Sequence, residues 1–201
     1  YIVSGSWDAT IKIWDFKTAE CLNTLEGHTN WINSIAISSD GKYIVSGSDD
    51  KTIKIWDLRT LECLNTLEEH EDSVNSIAIS SDGKYIVSGS DDGIIKIWDL
   101  RTLECLHTLE EHEDSVNSIA ISPDGKYIVS ASSDKTIKIW NFRTLECLNT
   151  LKSWVNSIAI SPDGKYIVSG SRDKTIKIWN IQTGECLNTL EGHKDSVNSI
   201  A

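Results

Sequence analysis

The stretch Tyr43–Leu58, YIVSGSDDKTIKIWDL, recurs five times with few changes, beginning at Tyr1, Tyr43, Tyr85, Tyr127 and Tyr166. Successive copies start 42, 42, 42 and 39 residues apart. A period of about 40–45 residues means that one supersecondary unit is repeated. A unit this short cannot bury both faces of its own sheet, so copies must stack on copies. The chain therefore reads as one domain of five repeats, 1–42, 43–84, 85–126, 127–165 and 166–201.

Within a copy the strand signals are short and regular. YIVSGS (Tyr43–Ser48) is rich in β-formers, TIKIWD (Thr52–Asp57) alternates, and CLNTLE (Cys63–Glu68) and SVNSIAIS (Ser73–Ser80) follow. The turn Ser81–Asp82–Gly83–Lys84 offers Asp-Gly for the positive φ angles of a hairpin. No apolar period of 3.6 residues runs long enough for a helix. SIAI is apolar almost without alternation, which implies an inner strand covered on both faces. The fold class is all-β, with each repeat a four-stranded antiparallel meander.

These motifs resemble the Trp-Asp (WD) repeat family of β-propellers. The residues that carry the likeness are Gly27–His28 and Gly192–His193, Trp14–Asp15, Trp56–Asp57 and Trp98–Asp99, the SPDGK or SSDGK turns, and the SGSxD element. The likeness extends over the whole chain, and it implies that each repeat forms one blade of a toroid. It also implies a hydrogen-bonded tetrad in many blades: His28, Ser46, Asp50 and Trp56; His70, Ser88, Asp92 and Trp98; His112, Ser130, Asp134 and Trp140. Several copies depart from the pattern. Glu69 and Glu111 replace Gly, Asn141 and Asn180 replace Asp, and the fourth copy reads TLKSWVNSIA without a His. Ser169, Asp173 and Trp179 then lack a fourth partner.

The chain starts inside a repeat and contains no Met, as expected of a processed or truncated product. Its last copy stops after SVNSIA, and its first begins at YIVSGS, the strand that follows SVNSIAIS elsewhere. This predicts that Ser196–Ala201 pairs beside Tyr1–Ser6 and closes a five-bladed ring, with His193 serving Ser4, Asp8 and Trp14. Two rival readings are an arc of a longer array and a homo-oligomer in which chains pool blades.

The formal net charge is −11. No basic stripe is present to neutralise phosphates, so nucleic acid is not expected as a partner, and an anionic membrane surface is disfavoured. No run approaches the ~20 apolar residues that span a bilayer. Cys21, Cys63, Cys105, Cys147 and Cys186 occupy one repeat position, with no CxxC and no zinc-like spacing. They are expected to be buried, unpaired thiols of a cytoplasmic protein. No metal and no cofactor is expected.

Ser, His and Asp together suggest a catalytic triad, but a set that recurs from copy to copy suits a structural staple. An enzyme working in the central channel would need a unique constellation. The copies offer instead a ring of Asn33, Asn75, Asn117, Asn156 and Asn198, and amides are not general bases. No catalytic residue is assigned.

The copies differ mainly in two loops. One is the turn inside SGSxDxx, with Trp7, Asp49, Asp91, Ser133 and Arg172 before its Asp. The other follows CLNTLE and carries Trp31, Glu71, Glu113, Trp154 and Lys194. Trp and Arg are favoured at binding hot spots. The expected function is a non-catalytic scaffold that binds a peptide or protein on this loop face, through Trp7, Trp31, Asp49, Glu71, Asp91, Glu113, Trp154, Arg172 and Lys194. The alternatives are a structural or sensor array within a larger protein, or an enzyme.

Overall fold

A computed structural model describes all residues from Tyr1 to Ala201. The sequence folds entirely into strands and turns. The first sheet contains β1 (Ile2–Gly5), β2 (Thr10–Trp14) and β3 (Cys21–Glu26). The second contains β4 (Ile32–Ile37), β5 (Tyr43–Ser48), β6 (Ile53–Asp57) and β7 (Cys63–Leu67). The third runs through β8 (Val74–Ile79), β9 (Tyr85–Ser90), β10 (Ile95–Asp99) and β11 (Cys105–Leu109). The fourth has β12 (Val116–Ile121), β13 (Tyr127–Ser132), β14 (Thr136–Asn141) and β15 (Cys147–Lys152). The fifth has β16 (Val155–Ile160), β17 (Tyr166–Ser171), β18 (Ile176–Asn180) and β19 (Cys186–Leu190). All pairings are antiparallel meanders. The sheets are offset from the sequence repeat by one strand. The last strand of each repeat crosses over to become the inner strand of the next sheet.

The sheets stack in chain order as propeller blades, through inner strands β4, β8, β12 and β16. The core lies between blades and not inside them. One cluster combines Val45, Ile53, Ile55 and Leu67 of the second sheet with Val74, Ile77, Ile86 and Trp98 of the third. Equivalent clusters join the first to the second, the third to the fourth and the fourth to the fifth. The blades approach so closely at Gly47 and Gly89 that neither position has room for a side chain. A Cβ on Gly89 would stand 2.5 Å from Val116 Cγ1, and one on Gly47 would stand 2.6 Å from Val74 Cγ1.

Three expectations are corrected here. First, the ring is not closed by a shared blade. The first sheet has three strands, Ser196–Ala201 forms no strand, and no hydrogen bond joins that segment to Tyr1–Ser6. The segment does dock on the fifth sheet, where Val197 donates its N–H to the Ser171 carbonyl as Ile32 does to Ser6, but it gains no partner strand of its own. Blade-to-blade packing holds it at that end of the arc. Second, His193 is exposed and makes no hydrogen bond to Ser4, Asp8 or Trp14, because it precedes this same segment. Third, the cysteines are not buried. Cys21, Cys63 and Cys186 are exposed, and Cys105 and Cys147 are half-buried, because each sits on an outermost strand with only one neighbour.

Candidate functional site

The turn between the two middle strands and the loop entering the inner strand lie side by side at one end of each blade. The residue before the turn Asp donates its N–H to the carbonyl of the residue before the inner strand. The pairs are Asp49 to Trp31, Asp91 to Ser73, Ser133 to Ser115 and Arg172 to Trp154. Beneath these loops are the polar side chains that hold them.

In the second sheet the His28 ring is 2.8 Å from Asp50 through Nδ1 and 2.7 Å from Ser46 Oγ through Nε2, while Trp56 Nε1 donates to Ser46 Oγ at 2.9 Å. The third sheet joins His70, Asp92, Ser88 and Trp98 at 2.8, 2.8 and 2.9 Å. The fourth joins His112, Asp134, Ser130 and Trp140 at 2.7, 2.8 and 2.9 Å. The direction of the protons follows from the donors available. An ionised carboxylate only accepts, so Nδ1–H of a neutral imidazole donates to Asp and Nε2 accepts from the Ser hydroxyl. That hydroxyl oxygen in turn accepts the indole N–H. Every polar atom of the buried set is thereby partnered. Ser46, Ser88 and Ser130 have no exposed surface, whereas a nucleophile must reach its substrate.

In the fifth sheet Trp179 donates to Ser169 at 2.9 Å, and Asp173 is bound by Thr175 and lies 3.5 Å from Lys177 Nζ. In the first, Trp14 donates to Ser4 at 2.9 Å and Asp8 is capped by Thr10.

The charge states are set locally. Burial holds the His28 and His112 rings below their ordinary pKa, although the neighbouring Asp50 and Asp134 pull the other way. Burial pulls the Asp50 carboxyl upward, but the Thr52 hydroxyl, the Thr29 N–H and the His28 ring outweigh it and hold it at about 2. Both lowered groups make the folded state bind fewer protons than the unfolded chain. For the histidines the window lies below the unfolded value of about 6.5, and for Asp50 it lies below about 3.9. Stability is therefore expected to be flat above pH 7 and to fall on acidification, first through the histidine window and then through the carboxylate window. Thermal melting between pH 8 and pH 3 measures this. A melting temperature that stayed constant down to pH 5 would contradict the neutral, buried imidazoles.

Above this layer are the variable residues. Trp7 of the first sheet and Trp31 at the entry to the second stack face to face, with ring centroids 4.4 Å apart and planes 11° from parallel. They remain 68% and 45% exposed. Trp154, also 45% exposed, lies under Lys135 Nζ at 4.7 Å. Asp49 and Asp91 accept from Asn33 and Asn75 at 2.6 and 2.7 Å, and Arg172 Nε donates to Asn156 Oδ1 at 2.9 Å. Asn33, Asn75 and Asn156 of the inner strands are thus each engaged by the residue before the turn Asp. Glu71 and Glu113 are exposed, and their N–H groups bind Asp92 and Asp134. Lys194 is exposed beside the docked terminal segment. The structure therefore brings Trp7, Trp31 and Asp49 together, and it leaves Trp154 and Arg172 on the fifth sheet, away from the acidic loops of the middle sheets.

Two clefts of about 410 and 430 Å³ open between neighbouring blades at the opposite end, and none of these residues lines them. No group of His, Cys, Asp and Glu is arranged to hold a metal ion.

A meander blade closed by an indole–hydroxyl–imidazole–carboxylate chain, repeated around an arc, defines a WD-repeat propeller. The chain belongs to the WD40 family (WD domain, G-beta repeat), whose family model matches residues 1–15, 19–57, 61–99, 103–141, 145–180 and 184–201. Over 43 residues it is 51% identical to a Lissencephaly-1 homolog from Heterostelium pallidum, covering 21% of this chain and 10% of that protein. It is 48% identical over 42 residues to nuclear distribution protein PAC1 of Mycosarcoma maydis, covering 21% and 9%. It is 45% identical over 40 residues to small ribosomal subunit protein RACK1y of Oryza sativa subsp. japonica, covering 20% and 12%. Each match spans about one repeat and about a tenth of the relative's length.

Proposed function

We propose that this chain is a non-catalytic interaction module that takes a peptide or protein segment on its loop face. The observation that carries this reading is the Trp7–Trp31 stack. Two indoles bridge adjacent blades while 68% of Trp7 and 45% of Trp31 stays in water. Large aromatic surface left exposed marks an interaction site more often than drift does. Asp49 adjoins the stack, with Glu71, Asp91 and Glu113 further along the same rim and Trp154, Arg172 and Lys194 on the far sheets. One of the relatives is, by its name, a ribosomal subunit protein, that is, a chain built into a larger assembly. Five unpaired thiols fit a reducing compartment such as the cytoplasm.

Binding is expected to drop at least tenfold when Trp7 and Trp31 are both replaced by Ala, since a hot-spot tryptophan contributes about 2 kcal/mol or more. The measurement is quantitative capture of partners, with Leu64→Ser on the outermost strand β7 as a control away from this face. Equal recovery by the Trp variant and the wild type sinks the assignment.

A further inference from the structure

The cleft between the third and fourth sheets lies at the end of the blades away from the tryptophan stack. Its volume of about 410 Å³ is within the range of ligand sites. Its floor is apolar. Ile97 of β10 and Leu106 of β11 form one wall, with Leu106 40% exposed. Tyr85 of β9 meets Phe142 of the fourth sheet edge to face, with ring centroids 5.5 Å apart and planes 68° from parallel.

Two carboxylates line the rim, and both are neutralised within their own hairpin turns. Asp82 accepts from the Ser80 hydroxyl at 2.7 Å and pairs with Lys84 at 3.2 Å. Asp124 accepts from the Ser122 hydroxyl at 2.7 Å and pairs with Lys126 at 2.9 Å. The donors around the floor are not used up in this way. Arg143 is exposed and its guanidinium forms no ion pair. Its backbone N–H is engaged, by Asn141 Oδ1 at 2.8 Å, and the neighbouring Glu146 turns to Thr144 at 3.1 Å. Tyr85 is held through its backbone N–H and His107 through its carbonyl, which leaves the phenol and the imidazole free. His107 stands where the other copies have Asn23, Asn65, Asn149 and Asn188, so an imidazole is particular to this cleft. β11 pairs only with β10, so its other edge presents unpaired backbone groups beside the cleft.

We propose that this cleft is a second docking site, for an extended peptide segment that carries a large apolar side chain next to a carboxylate. The apolar side chain fills the floor between Leu106 and Phe142. The carboxylate takes the fork of the Arg143 guanidinium, with the Tyr85 hydroxyl and the His107 ring as further donors. The peptide backbone runs along the free edge of β11, the mode by which extended segments add to a sheet. Charge selects the carboxylate. The chain as a whole carries −11, but with both rim carboxylates paired the guanidinium is the uncompensated charge of the cleft.

A random peptide library displayed on phage, panned in parallel on the wild-type chain and on Leu106→Ser/Arg143→Glu, tests this. Peptides enriched on the wild type alone are expected to carry Leu, Ile, Phe or Trp beside Asp or Glu. Both altered positions are exposed, and circular dichroism checks that the variant remains folded. A synthetic copy of an enriched peptide is then followed by fluorescence anisotropy. It is expected to bind Arg143→Ala about tenfold more weakly than the wild type, the usual loss of a charge-assisted hydrogen bond. Arg143→Lys is expected to fall between, because a point charge replaces a planar fork. Trp7→Ala/Trp31→Ala is expected to bind it as the wild type does, which separates this site from the tryptophan face. Equal enrichment on wild type and cleft variant, enriched peptides without an acid, or binding lost with the two tryptophans overturns the proposal.

Discussion

Trp98→Ala is expected to destabilise the fold by about 3–5 kcal/mol, the usual cost of deleting a buried tryptophan. Trp98 is 1% exposed and packs in the cluster that joins the second and third sheets. The change empties that interface and takes the indole N–H away from Ser88. Trp98→Phe separates the two parts, because it keeps most of the apolar volume and removes only the donor. Its expected cost is nearer 1 kcal/mol. Ser88→Ala is expected to cost more, about 2–4 kcal/mol, because it leaves both Trp98 Nε1 and His70 Nε2 without a partner in a dry site. Ser169→Ala supplies an internal comparison. There the hydroxyl serves only Trp179, so roughly half the loss is expected. Urea unfolding of the four single variants and of Ser88→Ala/Trp98→Phe measures the coupling. Strictly additive losses would show that the chain of hydrogen bonds does not act as a unit.

Gly89→Ala is the second large effect, expected at about 1–3 kcal/mol from overpacking. The added methyl would lie 2.5 Å from Val116 Cγ1 and 3.0 Å from Ile119 Cγ1, both on β12, which Asn75 and Ser76 of the preceding inner strand hold through the Val116 carbonyl and the Ile119 N–H. The blades would have to part, which loosens the Ser76–Ile119 bond as well. Ala131 shows the same position filled, in the one junction where the following loop is three residues shorter. It is fully buried in the cluster with Val155 and Ile158. Combining Gly89→Ala with Val116→Ala should therefore cost less than the sum of the separate losses. Thermal melting of the single and double variants reads this directly, and additive losses would rule out the steric explanation.

Much of the blade was legible from the residues. The strands, the hairpin turns and the grouping of His28, Ser46, Asp50 and Trp56 involve residues no more than 28 positions apart in a strict repeat, and hydrogen-bond chemistry pairs them. The hydrogen bonds from Asn33 to the Val74 carbonyl and from the Ile77 N–H to Ser34 Oγ, which join neighbouring blades, were not legible. Asn33–Ser34 and its copies look like ordinary polar residues on an inner strand. Their partners, Val74 and Ile77, are backbone groups about 41–43 residues away. Nothing in a side-chain pattern marks which carbonyl or N–H a bulge will leave free. The cysteines were misjudged for a related reason. CLNTLE carries the same β-forming residues as the other strands, and only sheet order shows that it lies at the rim.

The sequence alone determined the unit. Its period, its alternating strands and its recurring tetrad residues specify a blade and demand that blades stack, because one unit cannot cover its own faces. Tertiary structure alone decided how the ends of the arc are treated. Matching strand sequences at Tyr1–Ser6 and Ser196–Ala201 suggested that they pair, but sequence complementarity carries no information about distance. Contacts with the preceding blade, Val197 N–H to the Ser171 carbonyl and Asn156 to the Val197 carbonyl, set where the last segment lies. That packing holds Ser196–Ala201 on the fifth sheet, leaves β1 with a free edge, and sets the Trp7–Trp31 stack across the first junction.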